Sequence, residues 1–558
     1  PPQTFPSPFD FTFTIDPIRF QGNAVIAMLA VPLAIAALMA FFRYTNVGLA
    51  IRASADSADR AALLGVPVKR IQTVVWVVAT VLATMAIILR AGVIGLPLGS
   101  VLGPRILLRA LTAGVIGRME RLPTIFVAAV GIGVIEQSII WSTGRNLLID
   151  PVLFLVVIGA LLLQRRGRTS RVDDSESSSW QSAQVVRETP RELMGIPEVV
   201  WARRGLVTLL LGALVLLPAW MPGSRVNLVA SMFIYGMLGI SLVVLTGWAG
   251  QVSLGQVGFF AIGAAVAGYL TATRHWDLSI AAVAAGLAGA AAAIAIGLPA
   301  LRIRGLFLAV TTLAFALATS SWFLNPEFVH WLPTGRIERP ALFGRVAIHT
   351  EVRYYYLCLA SLIVITWAVR GVRTSRTGRV LIGVRENERG AQAYGVNAIA
   401  AKLTGFALSG FIAAFAGGLF VHHQQALGIS AYLPEESLRV FVMAVIGGLA
   451  SVPGVLVGAA FIKGIHYFSA EAPRAIQPLI QLSATSIGLV FVLLVLPGGL
   501  GSVLYGLRDR YLRWVARRRG LVVPSFVADI RVEPDSVAGT TSAVPIEVPT
   551  LVTAGSGP

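Results

Sequence analysis

The chain has 558 residues, 56% of them hydrophobic and 13% charged, with a formal net charge of +18. Soluble globular domains carry roughly 25% charged residues, so the composition excludes an ordinary soluble domain and points to apolar helices in a bilayer. The positive charge collects between apolar runs, as in cytoplasmic loops under the positive-inside rule, and no groove-reading or base-stacking module accompanies it, so nucleic acid is not expected as a partner.

About 20 apolar residues in a helix cross roughly 30 Å of hydrocarbon, and backbone in lipid must bond within its own segment. The apolar runs predict spans at 21–42, 71–92, 106–117, 122–141, 150–163, 205–221, 227–246, 254–273, 278–298, 305–324, 354–370, 402–423, 438–450, 454–470 and 478–497. The runs at 106–117, 150–163 and 438–450 are short enough for half-helices. Alternating ten-residue segments, the mark of a transmembrane barrel, are not seen. The fold class is therefore all-α, a polytopic membrane protein of about 13–15 transmembrane helices.

Four basic stretches orient these spans. They are 43–70, the start of the linker at Arg165, Arg166, Arg168 and Arg171, then 370–402, and Arg508 to Arg519. Placing all four on the cytoplasmic side agrees with the number of crossings between them. The layout is an apolar block at 1–163, a polar linker at 164–204, a second block at 205–505, and a cytoplasmic tail at 506–558 expected to lack structure.

The two blocks contain a repeat. Residues 48–130 align with 378–460 at a constant offset of 330 without a gap, and 17 of 83 positions are identical. Matched pairs include Gly48/Gly378, Ala61/Ala391, Gly65/Gly395, Pro104/Pro434, Arg109/Arg439 and Gly117/Gly447. Glycines and prolines in one register are harder to match by chance than Leu or Ala. Both copies put the charged loop on the same side, so the pseudo-repeats are parallel, about an axis along the membrane normal. Residues 205–330 have no counterpart ahead of copy one, and the expectation is that further helices precede Pro1.

Each copy carries a short charged segment between two spans, 48–65 and 378–395. Each has an acid, Asp56 or Glu386, and a glycine nine residues on, Gly65 or Gly395, placed to end a helix in the left-handed conformation. A helix too short and too charged to span lies along the membrane face and can enter a groove on a cytoplasmic partner.

These loops resemble the coupling-loop motif of ABC importer permeases, in the branched-chain amino-acid transport family. The similarity extends to Leu245-Thr-Gly-Trp-Ala-Gly-Gln-Val-Ser-Leu-Gly255, Leu301-Arg-Ile-Arg-Gly-Leu-Phe307, Gly447-Gly448-Leu-Ala-Ser-Val-Pro-Gly454 and Leu496-Pro497-Gly498-Gly499-Leu500-Gly501. Copy one has Gly117-Arg118-Met119-Glu120 where copy two has the paired glycines. The resemblance implies a fusion of two membrane subunit types, the first lacking its N-terminal part, in a bacterial inner membrane. It implies ATP-binding cassette subunits docking on Asp56, Ala61, Gly65, Glu386, Ala391 and Gly395, and an extracytoplasmic solute-binding protein as a further partner. A secondary transporter or channel for a small solute is the alternative.

No Gly-x-x-x-x-Gly-Lys-[Ser/Thr] phosphate loop and no His-Glu-x-x-His occur, so no enzymatic activity, cofactor or metal is expected in this chain. The lone Cys358 reads as a small buried hydrophobe. Ionisable residues within spans are functional candidates; Glu136, Lys463 and His466 are the clearest, and Glu136 and His466 coincide under the repeat. Glu136, His466, Gly255 and Gly258 are the candidates for the substrate path, although glycines 255, 258, 263 and 268 also suit close helix packing. His422 and His423 are expected at the interface, and Trp220, Trp248 and Trp322 in an aromatic belt.

Overall fold

The computed structural model describes residues 12–15, 18–95, 102–119, 121–163, 189–301, 306–470, 473, 477, 488–496, 498–521 and 523. A two-stranded hairpin, Thr12–Ile15 with Ile18–Gln21, opens it and adds one short β element to the helical architecture. The first block follows as α1 (Gly22–Tyr44), α2 (Asn46–Asp56), α3 (Ala58–Leu63), α4 (Val68–Ile94), α5 (Leu102–Ile116), α6 (Leu122–Thr143) and α7 (Ile149–Leu163). The next five are α8 (Pro197–Leu216), α9 (Gly223–Leu242), α10 (Gln256–Ala272), α11 (Leu278–Ala300) and α12 (Leu306–Ala318). The second copy comprises α13 (Glu351–Thr374), α14 (Arg376–Glu386), α15 (Glu388–Ala393), α16 (Ala398–Gln424), α17 (Pro434–Gly447) and α18 (Val452–Ala470), with α19 (Gly488–Val495) and α20 (Leu500–Arg518) after it.

Nine helices among the described residues are long and apolar enough to cross a membrane, and three shorter apolar helices accompany them. Every predicted span from 21–42 to 454–470 falls on a helix. Most of the run 478–497 lies outside the described residues.

The repeat is realised in three dimensions. Subtracting 330 from α14, α15 and α16 returns the bounds of α2, α3 and α4. The reason is visible at Gly48 and Gly378. A side chain at either would collide with the carbonyl of Phe41 or of Val372, in the turn before it. Gly117 and Gly447 are equally constrained, against Ile125 and Val455. Copy one makes the following turn without glycine, holding Arg118 and Met119 at φ of 55° and 53° where Gly448 sits at 102°.

The chain forms two units, Pro1–Val186 with Leu214–Leu504, and Arg187–Ala213 with Tyr505–Pro558. In the larger, α9, α10, α11 and α16 form the centre, with Ile234, Leu238, Phe259, Phe260, Tyr354 and Phe406 fully buried. Small residues permit this. Side chains at Gly263 and Gly417 would meet the backbone carbonyls of Ala414 and Phe260, and Gly289 and Gly410 abut each other. A second cluster joins Leu108, Ile132, Leu153 and Val157 of copy one to Val310, Leu313 and Leu317 of α12. The apolar lengths of α1 and α4 are almost wholly exposed, as suits helices facing lipid.

The smaller unit corrects one expectation. Residues 506–518 are helical, not an unstructured tail. Leu512, Val515 and Ala516 recur on one face and bury against Leu193, Ile196 and Val199, an i, i+3, i+4 stripe. Arg519 donates to the Glu198 carboxylate at 2.6 Å.

At the end of α16 remote from α14 and α15, the segment 325–350 is strapped down by Arg339. Its guanidinium is buried, donates to both oxygens of Glu351 at 3.0 and 3.3 Å and to the carbonyls of His422 and His423 at 2.9 and 3.3 Å, and lies 4.2 Å over the Tyr354 ring. Glu351 is partly exposed, so the larger loss is at the carbonyls of His422 and His423, where buried acceptors deprived of a donor cost about 1–3 kcal/mol. Arg339→Met is therefore expected to lower thermal stability in detergent while leaving the protein inserted, as read by a melting scan. An unchanged melting point would show that the strap contributes nothing.

Candidate functional site

Sequence reasoning treated each charged loop as one helix; the structure breaks it in two. Ser57 and Asn387 are extended, at φ of −159° and −149°. Each caps the following helix, accepting from the Arg60 N–H at 3.3 Å and the Gly390 N–H at 2.7 Å. Thr45 and Ser375 cap the preceding helices in the same way. A capping oxygen satisfies an orphan N–H of a helix's first turn, so each loop is two capped helices meeting at a corner. Asp56 and Glu386 are the last residues of α2 and α14, both exposed. Gly65 and Gly395 follow α3 and α15 at φ of 84° and 79°, a left-handed region that favours glycine and, after it, Asn.

The corner has an inner and an outer side. Ala61 is 3% exposed and Ala391 half-buried, so both face their own bundle. Leu63, Leu64 and Tyr394 are 87%, 84% and 91% exposed. Under the offset of 330, Leu64 and Tyr394 coincide. Their signal in the sequence was an apolar residue just before the terminating glycine, and sequence reasoning passed over it.

The second-copy corner is fastened inward, and here too a residue was missed. Arg385, beside Glu386, donates to the Gly247 carbonyl, with its stem packed on Gly250. Burial pulls the Arg385 guanidinium below the usual arginine value, while the adjacent Glu386 carboxylate works the other way. Arg373 lies 5.9 Å from the Trp248 ring, and Lys402 pairs with Glu388 at 2.9 Å. Copy one has Ala55 in place of Arg385.

Gly247 sits in a π-helical turn, Val243–Trp248, at the break between α9 and α10. Such turns are frequent at functional sites. Buried side chains from five helices hold the break. Gln256 Nε2 donates to the hydroxyls of Ser241 and Ser409 at 2.7 and 2.5 Å, and Ser409 donates to the Ser241 carbonyl at 2.9 Å. The Ser437 hydroxyl accepts from the Val257 N–H at 3.2 Å, and Thr312 Oγ1 from the Leu254 N–H at 3.1 Å. Arg385 thus ties the end of α14 to the helix break that precedes α10.

The substrate-path candidates are not brought together. Gly255 packs on the Thr312 carbonyl and Gly258 on the Phe315 ring. Glu136 is ion-paired with Arg109 inside copy one. His466 lies in α18 with its side chain outside the described residues. Two interfacial expectations are also corrected. His422 is fully buried, its Nδ1 donating to the Gly418 carbonyl at 2.7 Å and its Nε2 2.9 Å from the Thr271 hydroxyl. Trp248 is buried at the helix break, while Trp220 and Trp322 are exposed. Cys358 is a buried free thiol.

Comparison with known proteins gives two kinds of relative. The high-affinity branched-chain amino acid transport system permease protein LivM of Escherichia coli K12 is 30% identical over 277 residues, covering 45% of this chain and 65% of its own length. LivM of Salmonella typhimurium is 29% identical over the same span. LivH of Salmonella typhimurium is 32% identical over 144 residues, covering 25% of this chain and 44% of its own length. The chain thus spans just under two thirds of the LivM relatives it matches. No solved structure matches. The sequence profile described as branched-chain amino acid transport system / permease component matches twice, at residues 2–164 and 224–496. With both repeat copies matched, the chain belongs to the family of permease components of branched-chain amino acid transport systems.

Proposed function

We propose that this chain is the membrane permease of an ATP-driven importer for branched-chain amino acids in a bacterial inner membrane, combining two subunit types in one polypeptide. The observation that carries the reading is the pair of matched corners, α2–α3 and α14–α15, each with an exposed apolar tip beside an acid and a left-handed glycine. Leu63, Leu64 and Tyr394 are the apolar plugs for a groove on each ATP-binding cassette subunit, and Asp56 and Glu386 give the rim its charge. Gly65 and Gly395 turn the chain back into the bilayer. Ala61 and Ala391 hold the corner to the bundle. Hydrolysis belongs to the partner, and an extracytoplasmic solute-binding protein delivers the amino acid to the opposite face.

The test is substrate-stimulated ATPase activity and leucine uptake of the complex reconstituted with its ATPase and solute-binding subunits. Reversing a charge against a partner costs several kcal/mol, so Glu386→Arg is expected to cut stimulated turnover by at least about tenfold. Gly395→Pro cannot adopt φ of 79° and loses the N–H that donates to the Gln392 carbonyl at 2.9 Å, so it should do the same. Gly395→Asn, which tolerates the left-handed region, should retain most activity. Unchanged turnover in Glu386→Arg and Gly395→Pro would remove the corners from the mechanism.

A further inference from the structure

We infer that the cavity between α9, α16, α17 and α18 is a binding stop for a zwitterionic α-amino acid, with Lys463 for its carboxylate and Glu436 for its ammonium group. The inference rests on the permease reading above and assigns the residues that would meet the solute. The cavity measures about 780 Å³, within the roughly 300–1,000 Å³ of small-molecule sites. Asn227 and Tyr235 of α9, Phe420 and His423 of α16, Glu436 of α17 and Lys463 of α18 line it. It lies at the last turns of α16, whereas the coupling corner adjoins the first. The 27 residues between them put about 40 Å of helix between solute and ATPase.

Three polar groups on this cavity, on Lys463, Glu436 and His423, have unfinished bonding. Lys463 Nζ sits 3.4 Å from the centroid of the Tyr235 ring and forms no ion pair among the described residues. Glu436 pairs through Oε1 with Arg439, while its Oε2 is buried without a hydrogen-bond partner, as is His423 Nδ1. Lys463 thus lacks an anion and Glu436 has one oxygen left without a donor, and one ligand that is both anionic and cationic completes both. A simple anion would suit Lys463 and meet repulsion from Glu436; a simple cation would do the reverse. Tyr235 and Phe420 supply an apolar wall for an aliphatic side chain. The repeat sharpens the assignment. Copy one has Ile106 and Gly133 at the positions of Glu436 and Lys463, so the helical scaffold does not itself demand the pair. Gly255, Gly258 and Glu136 are not among the lining residues.

The probe is L-leucine, with 3-methylbutylamine lacking the carboxylate and 4-methylpentanoate lacking the ammonium group. Binding to the full chain assembled with its ATPase subunits in nanodiscs, without solute-binding protein, is read by saturation-transfer NMR. Each analogue is expected to bind about tenfold more weakly than leucine, the equivalent of ~1.4 kcal/mol. Lys463→Met should weaken leucine about tenfold and abolish discrimination against 3-methylbutylamine, and Glu436→Gln should do so for 4-methylpentanoate. Lys463→Arg should keep wild-type selectivity. If Lys463→Met does not fold, selectivity in the wild type and in Lys463→Arg decides. No leucine binding, equal binding of all three compounds, or unchanged selectivity in Lys463→Met and Glu436→Gln overturns the site. Leucine uptake by the same wild-type complex with the solute-binding protein added would then leave the permease reading standing, and its absence would remove that too.

Discussion

Gly417→Val is expected to abolish recovery of folded protein. The Cβ direction at Gly417 runs into the carbonyl of Phe260, and that at Gly263 into the carbonyl of Ala414, so α10 and α16 touch backbone to backbone at two points. A flexible side chain could rotate away from an added methyl group, but a carbonyl inside a helix can move only with its helix. Overpacking costs about 1–3 kcal/mol, occasionally more, and this case belongs at the upper end because the inter-helix hydrogen bonds of Gln256 and Ser409 would part as well. In lipid the loss is felt fully, since helix association there relies on close contact and interhelical bonds. Size-exclusion chromatography after detergent extraction is the readout, with Gly371→Val as the control. Nothing lies within 4 Å of a Cβ at Gly371, so that variant should elute as wild type. A monodisperse Gly417→Val protein would mean that the two helices separate at little cost.

Arg385→Met is expected to leave the ATPase subunits bound and hydrolysing while transport falls by at least about tenfold, a change of ~1.4 kcal/mol or more in the coupling. The methionine stem fills the space over Gly250, but the donor to the Gly247 carbonyl is gone. That carbonyl lies in the π-helical turn, where the regular ladder is already displaced. A buried acceptor deprived of its partner costs about 1–3 kcal/mol, and the fastening between α14 and the helix break is lost with it. The signature is a split result. Co-purification of the ATPase subunits should be intact, because the exposed tip at Tyr394 is untouched, while solute uptake and stimulation of hydrolysis by loaded binding protein collapse together. Arg385→Lys should recover part of the coupling, since one ammonium donor still reaches. Uptake at the wild-type level in Arg385→Met would show that motion passes from corner to bundle by another route. Copy one, with Ala55 at this position, has no such fastening to lose, so Ala55→Met should be silent.

The periodicity of charge and apolarity was enough to determine the membrane class, the position of nearly every helix, and the repeat. An unbroken apolar run leaves a helix as the one way to satisfy backbone groups in lipid, so a span such as 278–298 is decided locally. The offset of 330 was legible because backbone geometry favours glycine at both pairs, by a carbonyl in the way at Gly48/Gly378 and by a positive φ at Gly65/Gly395. The two charged loops were legible for the same reason, down to the terminating glycines, but the corner at Ser57 and Asn387 was not.

What only the tertiary structure decided is which side chain meets which. Gly255 and Gly258 could line a path or admit a neighbouring helix, and the choice depends on Thr312 and Phe315, more than 50 residues away. Arg385 looked like one cation among many in a basic loop; its partner is a carbonyl 138 residues earlier in the chain. Lys463 and Glu436 carry no shared spacing pattern, and His422 at a predicted helix end proved to be core because the strap at Arg339 covers it. A hydrophobic pattern determines that a helix is in the bilayer but is nearly silent on its rotation there, because a helix apolar all round, as α10 and α11 are, has no stripe to say which face is inward. Small residues and buried polar groups settle that rotation, and they act only when another helix is present to meet them.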